Sequence, residues 1–166
     1  MSSSGAVSRN DPTAEGILPK VTGTGLAQCR GNGRPRVERK TVLLADDSNT
    51  ILMMEKMLLA RENYNLVIAK DGQEAYDMAL SEKPNLIVLD VVMPKLTGFE
   101  VCQKLRQQEQ TRTTPILLMT TRGEEENVKK GYEAGCSDYL TKPINAAEFL
   151  AKLRLHLLGN AEASRS

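Results

Sequence analysis

Leu86-Ile-Val-Leu-Asp90 is a run of four apolar residues closed by a carboxylate. A strand with one wet face would alternate apolar and polar residues. This run therefore reads as a strand covered on both faces, as in a parallel sheet jacketed by helices. The pattern recurs on either side of it. Short apolar runs at Thr41–Ala45, Leu66–Ala69, Ile116–Met119 and Tyr139–Leu140 alternate with amphipathic stretches near 49–62, 72–82, 98–110, 123–134 and 146–158. Five strands alternating with five helices predict a doubly wound α/β fold with a mostly parallel sheet. The punctuation agrees with this reading. Asp71 with Glu74, and Asn145 with Glu148, have capping-box spacing, Glu124, Glu125 and Glu126 suit the positive end of a helix, and Gly159 is placed to stop the last one. Pro84 and Pro115 stand just before strands, where a missing N–H is tolerated.

Right-handed crossovers bring the C-terminal ends of all strands in such a fold to one edge, where ligands bind. The residues at those ends are Asp46 and Asp47 after the first strand, Asp90 after the third, Thr120 after the fourth and Lys142 after the fifth. Singly, each has an ordinary explanation. Paired aspartates turn a chain or cap a helix, a strand threonine packs, and a Lys-Pro pair punctuates a surface. Their joint arrival at successive strand ends is harder to explain that way. Three carboxylates at one edge repel one another and stay partly protonated unless compensated. A hard cation such as Mg²⁺ relieves this, taking a few carboxylate oxygens together with water and a phosphate oxygen. Lys142 adds a compact positive charge for an oxyanion, and Thr120 adds a hydroxyl donor. The set suits transfer of a phosphoryl group to a carboxylate, with an aspartate oxygen attacking phosphorus in line.

The chain has 166 residues, of which 40% are hydrophobic and 26% charged, within the range of one ordinary soluble domain. Its net charge of +1 conceals an asymmetry: residues 1–40 carry seven Lys/Arg against three acids, and the remainder is mildly acidic. Residues 1–39 are rich in Gly, Ser, Thr, Pro and Arg without periodicity, which predicts a disordered basic N-terminal tail. The run Arg30-Gly-Asn-Gly-Arg-Pro-Arg36 within it reads as solvated chain rather than a nucleic-acid contact. A domain over 40–159 and a short C-terminal tail over 160–166 complete the division. Cys29, Cys102 and Cys136 lack metal-ligand spacing, and their odd number argues against a disulfide framework. The start of the chain has no apolar stretch of the secretory kind, and no run approaches the roughly 20 apolar residues of a membrane span. The reading is a cytoplasmic protein.

Residues 41–159 resemble a response-regulator receiver domain, the phospho-accepting module of bacterial two-component signalling. The resemblance is carried by Leu43-Leu-Ala-Asp-Asp47, Leu86-Ile-Val-Leu-Asp90, Met93-Pro94, Leu96-Thr-Gly-Phe-Glu100, Met119-Thr120 and Tyr139-Leu-Thr-Lys-Pro143. The intervals fit as well: 43 residues from Asp47 to Asp90, 30 more to Thr120 and 22 more to Lys142. The resemblance implies a flavodoxin-like sheet with strand order 2-1-3-4-5. It implies that Asp90 is the phosphorylation site, with Asp46, Asp47, Asp90 and the backbone carbonyl of Val92 holding Mg²⁺. Lys142 would pair with Asp90 and the phosphoryl oxygens, and the Lys142–Pro143 peptide would be cis. Thr120 would move to hydrogen-bond the phosphoryl group, and Tyr139 would swing inward after it. The face formed by the fourth helix, fifth strand and fifth helix would carry the output.

The resemblance further implies a signalling switch rather than an enzyme, with slow self-catalysed phosphorylation and dephosphorylation. Its partners would be a sensor histidine kinase or histidine phosphotransfer protein and a downstream effector, with homodimerisation through the output face and no direct nucleic-acid contact. After Gly159 only Asn-Ala-Glu-Ala-Ser-Arg-Ser remains, which points to a single-domain regulator. A phosphorelay shuttle and a fragment of a DNA-binding transcriptional regulator are the alternatives. A metal-dependent phosphatase is disfavoured, because such enzymes place a second acid two residues past the aspartyl nucleophile and Val92 stands there. Val92, Thr121 and Arg122 are positions expected to set kinetics. Met53, Met54, Met57 and Leu58 are expected to face the core from the first helix, as are Phe149, Leu150, Leu153 and Leu157 from the last. Leu155 and Leu158 fall off that stripe and are expected to be exposed as a partner patch, and His156 is expected on the helix surface.

Overall fold

The computed structural model describes residues 38–121 and 125–165. The expected N-terminal tail up to residue 37, Cys29 within it, Arg122 and Glu124 lie outside the described residues. The elements run β1 (Thr41–Ala45), α1 (Asn49–Leu59), β2 (Asn65–Ala69), α2 (Gly72–Glu82), β3 (Leu86–Asp90), α3 (Gly98–Arg106), β4 (Ile116–Thr121), α4 (Glu125–Ala134), β5 (Asp138–Lys142) and α5 (Ala146–Arg165). All strand pairings are parallel, in the order β2-β1-β3-β4-β5. This is the doubly wound flavodoxin-like sheet that the apolar runs and the resemblance implied.

Strand residues alternate between two cores, as a side-chain period of two requires. Leu43, Ile87, Leu89, Ile116 and Leu118 face Ala75 and Ala79 of α2, Val101, Cys102 and Leu105 of α3, and Ala134 of α4. Val42, Leu44, Leu86, Val88, Leu117, Met119 and Leu140 face Leu52 and Leu59 of α1 and Phe149, Leu153 and Leu157 of α5. Every residue of the central strand β3 is buried, which is why its sequence has no polar alternation.

Helix starts follow side-chain capping. The Ser48 hydroxyl accepts from Ile51 N–H at 3.4 Å, Asp71 accepts from Glu74 N–H at 2.7 Å, and Asn145 accepts from Glu148 N–H at 3.1 Å. Glu74 does not return the bond to Asp71, as a capping box would; it accepts instead from Lys70 N–H at 2.8 Å. The reciprocal box is formed by Thr97 and Glu100 at the start of α3.

The structure corrects two expectations about helices. Met53, Met54 and Met57 do not face the core: they are 64%, 41% and 71% exposed, and α1 buries Leu52, Glu55 and Leu59 instead. Ser48 fixes where α1 begins and so which side faces inward, and the leucine stripe covers β1 while the methionines turn to solvent. Gly159 does not stop the last helix, which continues to Arg165. It has open space around it and can stay helical at the ordinary glycine penalty of about 1 kcal/mol. The described glycine with a positive φ is Gly135 (98°), just after α4. There Cys136 N–H bonds Gly131 O and Gly135 N–H bonds Tyr132 O, closing α4 with a Schellman turn.

The helix α3 ends at Arg106, short of the expected 110, because the chain turns back on the Arg106 guanidinium. That group donates to the carbonyls of Gly135 (2.8 Å), Thr111 (3.0 Å), Arg112 (3.1 Å) and Thr114 (2.7 Å), and to the Ser137 hydroxyl (3.3 Å). It thereby ties the α3–β4 and α4–β5 connections together. Arg106→Met keeps the aliphatic stem and removes the donor to the Gly135, Arg112 and Thr114 carbonyls, while Thr111 O and Ser137 Oγ keep their bonds from Thr114 N–H and Ile116 N–H. It is expected to lower unfolding stability by roughly 2–3 kcal/mol, read as a shift of the urea midpoint at unchanged slope.

Candidate functional site

Asp46 N–H donates to Ala69 O at 3.2 Å, so the line of β1 carries one residue past the strand before the chain turns away at Asp47. β3 ends on Asp90 and β5 ends on Lys142, while Thr120 is the second-last residue of β4. Four connections of the fold therefore deliver these side chains to one edge. Asp46, Asp90 and Thr120 are buried, and Asp47 is exposed. Carboxylate oxygens of Asp46, Asp47 and Asp90 lie within 4.8 Å of one another. The Lys142 ammonium bridges two of them, at 3.1 Å from Asp46 Oδ2 and 3.0 Å from Asp90 Oδ1. The other Asp46 oxygen accepts from Ser48 N–H at 2.8 Å, which joins the acid to the start of α1. The Lys142–Pro143 peptide is cis.

The backbone leaving Asp90 is tightly pinned. Val91 N–H donates to Met119 O at 3.0 Å, Gly98 N–H to Val91 O at 2.9 Å, and Gly72 N–H to Pro94 O at 3.1 Å. A Cβ on Gly98 would lie 2.5 Å from the Asp90 carbonyl oxygen, so only glycine lets α3 start this close to the strand end. Val91 and Met93 point into the core, which leaves Val92 between them 71% exposed. Thr121 is exposed at the end of β4.

The charges reinforce the geometry. Burial raises the Asp90 carboxyl above its usual range and the Asp46 charge adds to that, while the bond from Lys142 opposes both. Burial pushes the Lys142 ammonium down, but its bonds to Asp90 and Asp46 outweigh this and hold it above its ordinary value. Lys142 balances one of three carboxylates, so the cluster retains a negative excess. Three hard oxygen donors of that charge fit a divalent cation of the Mg²⁺ class, whereas soft sulfur or imidazole ligands are missing from the cluster.

One acid in this region is not apparent from the motifs. Glu55 is 1% exposed, and its Oε2 has no hydrogen-bond partner among the described residues. Burial, with the Asp46 charge next, pushes its carboxyl up to about 8, and the Asp90 charge adds to this while Lys142 opposes it. The available signal was its place on the Leu52–Glu55–Leu59 stripe, which the methionines outweighed in the sequence.

Tyr139, on β5, lies outside the carboxylate cluster. Its ring meets Tyr132 of α4 edge-on, with centroids 5.8 Å apart, and Lys152 of α5 stands 5.1 Å from its centre. Lys152 also bonds the Tyr139 carbonyl at 2.6 Å and Asp138 at 3.1 Å. His156 is less free than a surface residue: its Nε2 lies 3.3 Å from Asp138 Oδ2 and its side chain is only 21% exposed. Leu155 and Leu158 are both 65% exposed, in keeping with the sequence expectation.

A family model described as the response regulator receiver domain matches residues 42–154. The alkaline phosphatase synthesis transcriptional regulatory protein PhoP of Bacillus subtilis is 44% identical over 115 residues, 69% of this chain and 47% of that protein. The chain thus spans about half the length of the curated relatives it matches. Among solved structures, the chemotaxis protein CheY4 of Vibrio cholerae is 36% identical with a TM-score of 0.66, covering 70% of this chain and 98% of that one. The receiver domain of the sensor histidine kinase PA1611 from Pseudomonas aeruginosa, solved with a magnesium ion in its active site cleft, is 26% identical with a TM-score of 0.67. It covers 72% of this chain and 98% of its own. Among the described residues, no helix is long and apolar enough to cross a membrane.

Glu55 gives the metal-free protein a pH signature. Unfolded, its carboxyl titrates near 4.5; folded, it titrates near 8. Below 4.5 both states hold the proton and the contribution of the neutral carboxyl is fully present. As pH rises towards 8 the unfolded chain releases its proton first, so that contribution is lost across this window. Stability in EDTA is expected to fall between those limits by an amount on the order of a few kcal/mol, and Glu55→Gln to flatten the slope. Urea unfolding over this range checks it; equal slopes in the two proteins would show that Glu55 titrates normally.

Proposed function

Because this chain belongs to the response regulator receiver domain family, we propose that it is a phosphorylation switch in which Asp90 accepts a phosphoryl group from a histidine kinase or histidine phosphotransfer protein. The observation that carries this reading is the edge cluster itself, three carboxylates within 4.8 Å of one another with Lys142 3.0 Å from Asp90. An Asp90 oxygen forms the bond to phosphorus as the bond from phosphorus to the donor nitrogen breaks, leaving an acyl phosphate. Lys142, already beside Asp90, holds its ammonium against the charge gathering on the phosphoryl oxygens. Thr120, from the neighbouring strand, donates its hydroxyl to one of those oxygens. Asp46, Asp47 and Asp90, with the backbone carbonyl of Val92, would hold Mg²⁺, which when bound would neutralise carboxylate and phosphoryl charge.

The response passes to the face formed by α4, β5 and α5. As Thr120 turns to the phosphoryl group, Tyr139 follows and gives up its contacts with Tyr132 and Lys152. Tyr132, Leu155 and Leu158 are exposed there and supply apolar area for an effector or a second copy of the chain. On the donor side, Met53, Met54 and Met57 are exposed on the helix that begins beside Asp46, so a protein reaching Asp90 meets an adaptable apolar surface. We place the switch in the cytoplasm, where such donors are found, and do not class it as an enzyme. A single-domain regulator is the leading reading. The alternative is the receiver part of a DNA-binding regulator, which the transcriptional regulators among its longer relatives favour. The mass of the native protein in its own cells distinguishes the two, since a DNA-binding partner domain would add to that of this chain.

Incubation with acetyl phosphate and Mg²⁺ is expected to add one phosphoryl group to the wild type and none to Asp90→Asn, as read by intact mass. EDTA should abolish the gain. Equal modification of the two proteins would overturn the assignment of Asp90. Val92 offers no side-chain hydrogen bond to an attacking water, so Val92→Asn is expected to change the lifetime of the acyl phosphate. The decay of the phosphorylated mass measures this, and identical lifetimes would remove position 92 as a determinant.

A further inference from the structure

The connection that follows Asp90 is held in a strained shape from outside, by the start of α2. Leu96 N–H bonds back to Pro94 O at 2.8 Å across Lys95, whose φ is 71°. A bond across one residue of that φ makes a γ-turn of the rare, strained kind. A lysine keeps such a backbone only where its surroundings over-determine it. Those surroundings are Asp71 and Gly72. Gly72 N–H donates to the same Pro94 carbonyl at 3.1 Å, and the Lys95 ammonium lies 3.1 Å from Asp71 Oδ2. Asp71 is itself fixed, since its Oδ1 caps α2 through Glu74 N–H at 2.7 Å. The approach leaves no room for a side chain: a Cβ on Gly72 would stand 2.0 Å from Leu96 O and 2.6 Å from Leu96 Cβ.

Nearer the strand the connection is pinned to the sheet, where Val91 N–H bonds Met119 O and Gly98 N–H bonds Val91 O. Val92 therefore lies on a short span between two fixed points, Val91 and Pro94. We infer that Gly72 and Lys95 are positioning residues of the cation site, through which the start of α2 braces the β3–α3 connection and fixes the direction of the Val92 carbonyl. This rests on the reading of that carbonyl, with Asp46, Asp47 and Asp90, as the Mg²⁺ ligands. With the brace released the connection samples several shapes, and the ion binds only the fraction that presents the carbonyl. A methyl at position 72 pushes the turn away from α2. Glycine at position 95 removes the tie to Asp71 and widens the range of the backbone without adding a clash.

The test measures the Kd for Mg²⁺ by calorimetric titration, and the Tm in EDTA, for wild type, Gly72→Ala, Lys95→Gly and Arg106→Met. The last is the control, because it loosens connections that enter β4 and β5 at the opposite edge of the sheet. Gly72→Ala is expected to weaken Mg²⁺ binding about tenfold or more, as loss of an outer-shell support does. Lys95→Gly is expected to weaken it about threefold, the effect of a connection that holds the braced shape about a third of the time. Its Tm in EDTA should stay within about 3 °C of wild type, which separates the loss of affinity from a loss of fold. Arg106→Met should lower the Tm and keep the wild-type Kd. Wild-type affinity in Gly72→Ala or in Lys95→Gly would overturn the inference, leaving the turn as a feature of the fold alone. A loss in Arg106→Met as large as in Gly72→Ala would also overturn it, since general loosening would then be the cause. A wild type that binds no Mg²⁺ would overturn it together with the reading of the cation site.

Discussion

Everything at the functional edge follows from the Lys142 ammonium standing between Asp46 and Asp90. Three carboxylates within 4.8 Å would otherwise drive the ends of β1 and β3 apart, and burial already disfavours the charge of Asp90. The lysine can do this only from the last position of β5, because the strand order sets β3 between β1 and β4 and brings β5 beside β4. The counter-charge is thus a product of topology. Shifting any of these strands by one residue would turn its terminal side chain to the opposite face and dissolve the cluster.

The same parity explains what could be read from sequence. β3 is covered on both faces, so its apolar run is unbroken and unmistakable, and once parallel strands are granted the polar residues at their ends must share an edge. Asp46, Asp90, Thr120 and Lys142 were legible for that reason. The orientation of α1 was not. Met53, Met54 and Met57 form as good an apolar stripe as Leu52 and Leu59, and Glu55 on the second stripe argued against burying it. What decides between them is tertiary packing, which places Leu52 and Leu59 in one buried cluster with Val42, Leu44, Phe149 and Leu153. Arg106 was invisible for a similar reason. Its acceptors are backbone carbonyls of two separate connections, and carbonyls leave no mark in a sequence. Gly159 and Gly135 make the converse point. Glycine permits a left-handed residue without requiring one, and the Schellman turn forms where Cys136 can be buried behind it.

β5 carries both Lys142, which stands among the carboxylates, and Tyr139, three residues earlier, which packs on the opposite face of the sheet. Lys142 turns its side chain to the α1/α5 side, where it meets the carboxylates, while Tyr139 packs against the core on the α2–α4 side. In the proposed switch, a change at the strand end would reach the opposite face of the sheet along β5. On that face Tyr139 is held by contacts of modest strength. An edge-to-face aromatic pair and a cation–π contact are each worth about 0.5–1 kcal/mol at a partly exposed site. Lys152 would remain bonded to Asp138 and Glu148 if the ring left, so the loss would not strand a buried charge. A ring held this lightly beside an exposed tyrosine and two exposed leucines can be moved by an event worth a few hydrogen bonds. Its departure would rearrange the apolar surface of α4 and α5 rather than unfold it, as a reversible switch requires.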